Sequence, residues 1–284
     1  MIQLKSKSLS LRYDGDEVVR QLSLELPANQ ITTLIGPNGS GKSTLLKGLA
    51  RLMKPTHGAA YLDGQEIHKM NTREVARRVS ILTQQVDAPD GLVVRELLAY
   101  GRFPHANWLG YSSQKDLQAI DRALDIAGIA HLADRPLGEL SGGQRQLAWI
   151  SMTLAQDAEI MLLDEPTTFL DLAHQLEVLN VLQRLQQEHQ RTIVLVLHDI
   201  NQAARFSHYM VALREGEIAW QGSPAEVMTT EMLSQVFGVE AEVSNDATTH
   251  APYCVPIRPV SRQSKSDDGD RESSHGNRSG AGGN

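Results

Sequence analysis

Gly36-Pro37-Asn38-Gly39-Ser40-Gly41-Lys42-Ser43, continued by Thr44, sets two glycines around four residues and follows them with lysine and a hydroxyl. Such a run can bind phosphate. Glycines let successive backbone amides turn toward one centre, a helix start favours negative charge, and Lys42 adds a cation near the terminal phosphates. Ser43 would give an oxygen to Mg²⁺. A second run, Ile160-Met161-Leu162-Leu163-Asp164-Glu165, carries four apolar residues into two carboxylates. Asp164 could hold Mg²⁺ through its water shell while Glu165 polarises an attacking water. A third run, Leu140-Ser141-Gly142-Gly143-Gln144, precedes a helical pattern. There Ser141 and the next amides could grip phosphate oxygens, with glycines permitting close approach. Each run alone has a plainer explanation: a flexible glycine turn, acids that cap a helix, or a serine cap. Together they describe nucleotide phosphate chemistry.

These residues need a scaffold that brings strand ends and helix starts to one place. Ile31 onward reads as a short apolar strand, a glycine turn and a helix from near Lys42. Val79 to Leu82, Ile160 to Leu163 and Ile193 to Leu197 are further buried-strand candidates. Leu9, Leu11 and Tyr13, then Leu22, Leu24 and Leu26, recur at period two around Asp14-Gly15, which predicts two half-buried strands. Asn71 with Glu74 and Ser113 with Asp116 have capping-box spacing, and Gly128 suits a helix end. Residues 87 to 155 therefore read as a helical insert in a nucleotide-binding core. From Pro224 to Val260, Val227, Met232, Leu233, Val236 and Phe237 suggest a small ordered appendix. Beyond Ser261 the chain lacks aromatic and large aliphatic residues and is expected to be a disordered tail.

In the order found, these motifs resemble those of ATP-binding-cassette transporters over nearly the whole chain to about Val260. That resemblance implies one α/β cassette domain over residues 1–260: a phosphate-loop core, an antiparallel β subdomain and an inserted helical subdomain. It further implies that Tyr13 stacks on adenine and that Gln84 senses nucleotide, contributes to the Mg²⁺ site with Ser43 and Asp164, and faces the membrane partner. Asp171 would lie in a loop crossing a dimer, and His198 would contact the γ-phosphate region, acting with Glu165 and Gln84 in catalysis. ATP would lie between Lys42 of one copy and Ser141 of a second, in a head-to-tail homodimer on membrane-spanning permease subunits. A substrate-binding protein would act only indirectly. Taken singly, Tyr13 reads as a packed strand residue, Gln84 as a surface amide and His198 as a cap before Asp199.

The TTFLD run at 167–171, its continuation Leu172-Ala173-His174-Gln175, and the segment from Val94 to His105 look like importers of ferric siderophores, haem and cobalamin. The expected function is ATP hydrolysis in a ferric-chelate importer. Alternatives are a haem or cobalamin importer, or a soluble cassette ATPase. The soluble forms of chromosome work insert long coiled coils, for which no sustained heptads exist here. His105 and His174 lack ligand-spaced partners and are read as surface or packing residues.

The composition of this 284-residue chain, 41% hydrophobic and 21% charged, is that of an ordinary globular protein. Its apolar runs are strand-sized, too short to span a bilayer. A net charge of -7 argues against a broad nucleic-acid surface. The single cysteine, Cys254, excludes an internal disulfide and is read as packing. Without a signal-peptide pattern near the start, the expected location is peripheral, on the cytoplasmic face of the inner membrane.

Overall fold

A computed structural model describes residues 3–84, 89, 91–106 and 113–260. The chain runs β1 (Leu4–Tyr13), β2 (Asp16–Glu25), β3 (Ile31–Ile35), α1 (Lys42–Leu49), β4 (His57–Leu62), β5 (Gln65–Glu66), α2 (Thr72–Arg78) and β6 (Val79–Leu82). Three helices follow: α3 (Val94–Gly101), α4 (Gln114–Ile126) and α5 (Gly142–Ala155). The core resumes with β7 (Ile160–Asp164), α6 (Leu172–His189), β8 (Thr192–Val196), α7 (Ile200–Phe206), β9 (Tyr209–Arg214) and β10 (Glu217–Gly222). Last come α8 (Pro224–Val227), α9 (Thr230–Met232) and the hairpin β11 (Val239–Asn245) and β12 (Pro252–Pro259).

Six strands form the central sheet in the order β10-β9-β3-β8-β7-β6. All neighbours are parallel except the β10–β9 pair. β3, β7 and β8 are buried along their whole length, which explains their unbroken apolar runs. Side chains alternate across the sheet. Met161, Leu163, Ile193 and Leu195 join the apolar cluster under the helices, while Ile160, Leu162, Val194 and Val196 join the one shared with α1 and the antiparallel strands. Because the sheet is parallel, the carboxyl ends of β6, β7, β8 and β3 open on one edge in that spatial order. Ligand sites of open α/β sheets form at such edges.

The second sheet, β2-β1-β4-β5, is antiparallel. Its first hairpin turns at Asp14-Gly15, with φ of 49° and 93°. Period-two burial does not persist along β1: Leu9, Ser10 and Leu11 are all buried, and the register slips on both sides of Leu9. Bulges at Ser8 and Gln21, with φ of 44° and 41°, cause this. Tyr13 is 59% exposed, so its packed-strand reading does not hold.

The helical insert comprises α3, α4 and α5 with short 3₁₀ turns between them. Ser113 and Asp116 form a complete capping box on α4, and Gly128 follows the helix end with φ 72°. Asn71 caps α2 by accepting the Arg73 amide. Arg102, at the end of α3, donates to Asp116 (2.9 Å) and to the Ala155 carbonyl (2.5 Å), tying all three helices of the insert. In the appendix, the Asn201 amide bonds both the Cys254 N–H (2.8 Å) and its carbonyl (3.1 Å), fastening β12 to α7. Cys254 is buried, as its packing role requires. No helix among the described residues is long and apolar enough to cross a membrane. The expected tail, 261–284, lies outside the described residues, as does part of the insert.

Candidate active site

β3 delivers its last residue, Ile35, to a turn that only glycine fits. Gly36 has φ 143°, and a Cβ there would overlap the Leu213 carbonyl of β9. Gly39 and Gly41 also have positive φ, at 78° and 99°. The turn wraps its own lysine: Lys42 Nζ donates to the Gly36 and Pro37 carbonyls, each at 2.9 Å. Burial lowers the Lys42 pKa against the opposing pull of Glu165 and Asp164. Ser40 Oγ is buried without a hydrogen-bond partner. A buried cation and an unpaired hydroxyl beside a helix start are what an incoming phosphate would satisfy.

Asp164 ends β7 and accepts a 2.7 Å bond from Ser43 Oγ. Burial raises its pKa, opposed chiefly by that hydroxyl. Hydroxyl and carboxylate oxygens suit a hard cation such as Mg²⁺. Glu165, next in sequence, takes φ 54°, which turns its carboxylate away from the strand. Oε2 accepts from Gln84 Nε2 at 2.6 Å and from Thr168 Oγ1 at 3.1 Å; Oε1 lies 2.7 Å from His198 Nε2. Three adjacent strand ends thus converge on one carboxylate. His198 is no cap, because Asp199 caps α7 by accepting the Gln202 amide. Gln84 is no idle surface amide either.

A cleft of about 300 Å³ lies over the loop, lined by Tyr13, Val18, Asn38, Gly39, Gly41, Lys42, Ser43, Thr44 and Glu165. Tyr13 presents its exposed ring there, where it can cover a planar base. Ser141, Gly142, Gly143 and Gln144 do not line this cleft. They start α5 elsewhere, with Ser141 accepting the Gln144 amide in a capping box. Around them pack Leu170, which a Cβ on Gly142 would meet at 3.9 Å, and the His174 ring, which a Cβ on Gly143 would overlap. Asp171 caps α6 and bonds His174 through backbone and ring, which lowers its pKa. His174 and His105 serve packing: the latter's ring meets the Gln156 carbonyl at 2.8 Å. No cluster of three potential metal-ligating His, Cys, Asp or Glu exists among the described residues.

Two contributors escape sequence reasoning. Val18 supplies a wall of the cleft, and its carbonyl closes on Gly41 and Gly216; nothing in a valine announces a backbone role. Thr168 had a signal, a hydroxyl three residues after an acid at a strand end.

A family model described as ABC transporter matches residues 19–168. The iron(3+)-hydroxamate import ATP-binding protein FhuC of Bacillus subtilis (strain 168) is 50% identical over 255 residues, covering 90% of this chain and 95% of that one. The ferric enterobactin transport ATP-binding protein FepC of Escherichia coli (strain K12) is 44% identical, covering 90% and 94%. Among solved structures, one described as a metal-chelate type ABC transporter in an inward-facing conformation superposes with a TM-score of 0.79 at 28% identity, covering 91% of this chain and 98% of that one. A dimeric bacterial ABC transporter cassette superposes at 0.68 with 27% identity, covering 78% and 98%. With the phosphate loop, the paired acids and the Ser141 helix start in one fold, this chain belongs to the ATP-binding-cassette transporter family.

Proposed function

We propose that this chain is the ATP-hydrolysing subunit of a membrane importer for ferric siderophores or related metal chelates. The observation that carries the chemistry is the Glu165 carboxylate, held at the mouth of the phosphate-loop cleft by Gln84, Thr168 and His198. Fixed on both oxygens, it is oriented to take a proton from water attacking the γ-phosphorus. Lys42 would exchange its bonds to the Gly36 and Pro37 carbonyls for phosphate oxygens, with Ser40 and the loop amides completing the cradle. Ser43, Asp164 and Gln84 would hold Mg²⁺, which neutralises phosphate charge when bound. Tyr13 would cover the adenine.

Ser141 to Gln144 do not line this cleft, so we assign them to the ATP of a second copy in a head-to-tail dimer, with Asp171 at the crossing. A dimeric cassette of the same fold supports this. The pair would sit peripherally on permease subunits at the cytoplasmic face of the membrane, with a binding protein acting from the other side. Siderophore cargo rests on the names of the relatives: hydroxamate, achromobactin and enterobactin systems at 44–50% identity. Reconstitution with permease and binding protein tests it. Ferric siderophore on the binding protein should raise ATP hydrolysis and drive uptake; a response confined to sugars or amino acids would overturn the cargo and leave the ATPase standing.

A further inference from the structure

At the amino end of β7, the edge of the sheet away from the phosphate loop, four elements leave a gap between them. α4 and the end of α5 belong to the helical insert, the start of β7 and the end of α6 to the core. The gap is a cleft of about 120 Å³ floored by Ala119, Ala123, Leu154, Met161 and Leu185. Its cause lies in the sequence. Ala119 and Ala123 stand one turn apart on α4, and Ala158 leads into β7. All three are buried, so positions that a core would fill with Leu or Ile carry only methyl groups. Thr153 Oγ1 donates to the Ile150 carbonyl of its own helix at 2.7 Å. Thr32 and Ser40, the two residues with buried, unpaired side-chain polar atoms among the described residues, do not line the cleft. Its floor therefore offers water no partner.

The rim is polar, and most of its groups are committed. Arg191 bonds Asp157 (2.5 Å) and the Ala158 carbonyl (3.0 Å). Carbonyls at the ends of α4 and α5 are met as well, Ile126 by Arg184 (3.4 Å) and Ala155 by Arg102 (2.5 Å). Arg122 and His189 remain. Both line the cleft, and their side chains make no hydrogen bond or ion pair among the described residues.

We propose that this cleft binds a small aromatic carboxylate, with its ring on the floor and its carboxylate between Arg122 and His189. Size selects the ring: an apolar cavity of about 150 Å³ holds benzene, and this cleft, open at its rim, takes one ring with the substituent outside. Met161 favours an aromatic body over an aliphatic one, because its polarisable sulfur attracts ring edges. The planar guanidinium of Arg122 can stack on such a ring or pair with both carboxylate oxygens. Charge selects a monoanion. Asp157 cancels Arg191 on the rim and would repel the second charge of a phosphate or dicarboxylate. A ligand so placed touches insert and core together without entering the ATP cleft, and the site does not depend on the ATPase reading.

The test titrates the full-length chain with benzoate by calorimetry and follows melting alongside. Benzoate should bind with a Kd of about 1 mM or tighter, and about 20 times that concentration should raise the melting temperature by roughly 4–7 °C. Benzyl alcohol keeps the ring without the charge, acetate the charge without the ring, and cyclohexanecarboxylate the charge on an aliphatic body. Each should bind at least about fivefold more weakly. Arg122→Gln, at an exposed position, should fold normally and lose about tenfold in benzoate affinity. Ala123→Leu, which fills the floor, should lose benzoate while its melting temperature holds or rises; if that variant fails to fold, Arg122→Gln decides alone. Saturating ATP should leave benzoate bound. Absence of both heat and a melting shift with benzoate overturns the site, as does parent-like affinity in either folded variant. Displacement by ATP would put the carboxylate on the phosphate loop and overturn it too, and cyclohexanecarboxylate binding as tightly as benzoate would overturn the aromatic assignment.

Discussion

Replacing Asp116 by asparagine should loosen the helical insert by an amount the structure allows to be worked out. Its Oδ1 accepts from Arg102 Nε at 2.9 Å, and its Oδ2 accepts from the Ser113 amide (2.9 Å) and hydroxyl (2.7 Å). Burial pushes the carboxyl pKa up, but the Ser113 bonds and the Arg102 charge outweigh it and bring it from 3.8 to about 2. At about 1.4 kcal/mol per pKa unit, the depression is worth at most about 2.5 kcal/mol. The first turn of α4 is exposed around it, so water screening reduces the expected loss to about 1–2 kcal/mol. For a chain of this size that lowers the melting temperature by roughly 3–6 °C at neutral pH. The sign with pH follows from the depressed pKa: the contribution is complete above the unfolded value of 3.8 and disappears as pH falls through about 2. About half should be gone by pH 3, so the two proteins should converge on acidification. Thermal unfolding of both from pH 7 to 3 is the assay. Melting within about 1 °C of the parent at pH 7, or a gap that stays constant with pH, would refute the reasoning.

Glu165→Gln should retain ATP binding while slowing hydrolysis by about 10²–10⁴-fold, measured by single-turnover phosphate release. Ser141→Arg should abolish hydrolysis in the reconstituted transporter but leave ATP titrations of the isolated chain unchanged; equal loss in both would mean that Ser141 serves its own cleft. Gly36→Ala, whose methyl would overlap the Leu213 carbonyl, should weaken ATP binding in calorimetry and destabilise the fold by about 1–3 kcal/mol.

Much of the site was legible because its chemistry sits in contiguous runs whose context is local. A phosphate loop needs a strand before it and a helix after it, and both are written in the same twenty or so residues. The buried strands read as apolar runs because both faces of a parallel sheet are covered. Legibility failed where the contribution is made by backbone or by remote approach. Val18 acts through its carbonyl, and the bulges at Ser8 and Gln21 defeat the two-residue period of β1. His198 looked like a cap until Asp199 took that task, which leaves the imidazole free for Glu165. Tyr13 has the apolar spacing of a core residue, and only its position at the end of β1, over the loop, turns its ring outward. The appendix offered spaced apolar residues but no sign that its last part is a hairpin.

The amide of Asn201 has a consequence for handling the protein at high concentration. β12 carries Tyr253, Val255 and Ile257 as exposed apolar residues on a strand whose only sheet partner among the described residues is β11. Such an edge is a template for strand-to-strand aggregation. Asn201 occupies the rung at Cys254 by meeting its N–H and carbonyl, as a neighbouring strand would. One side chain thereby stands in for a neighbouring strand at that rung. Asn201→Leu should turn concentrated samples turbid on storage while dilute ATPase assays show nothing unusual.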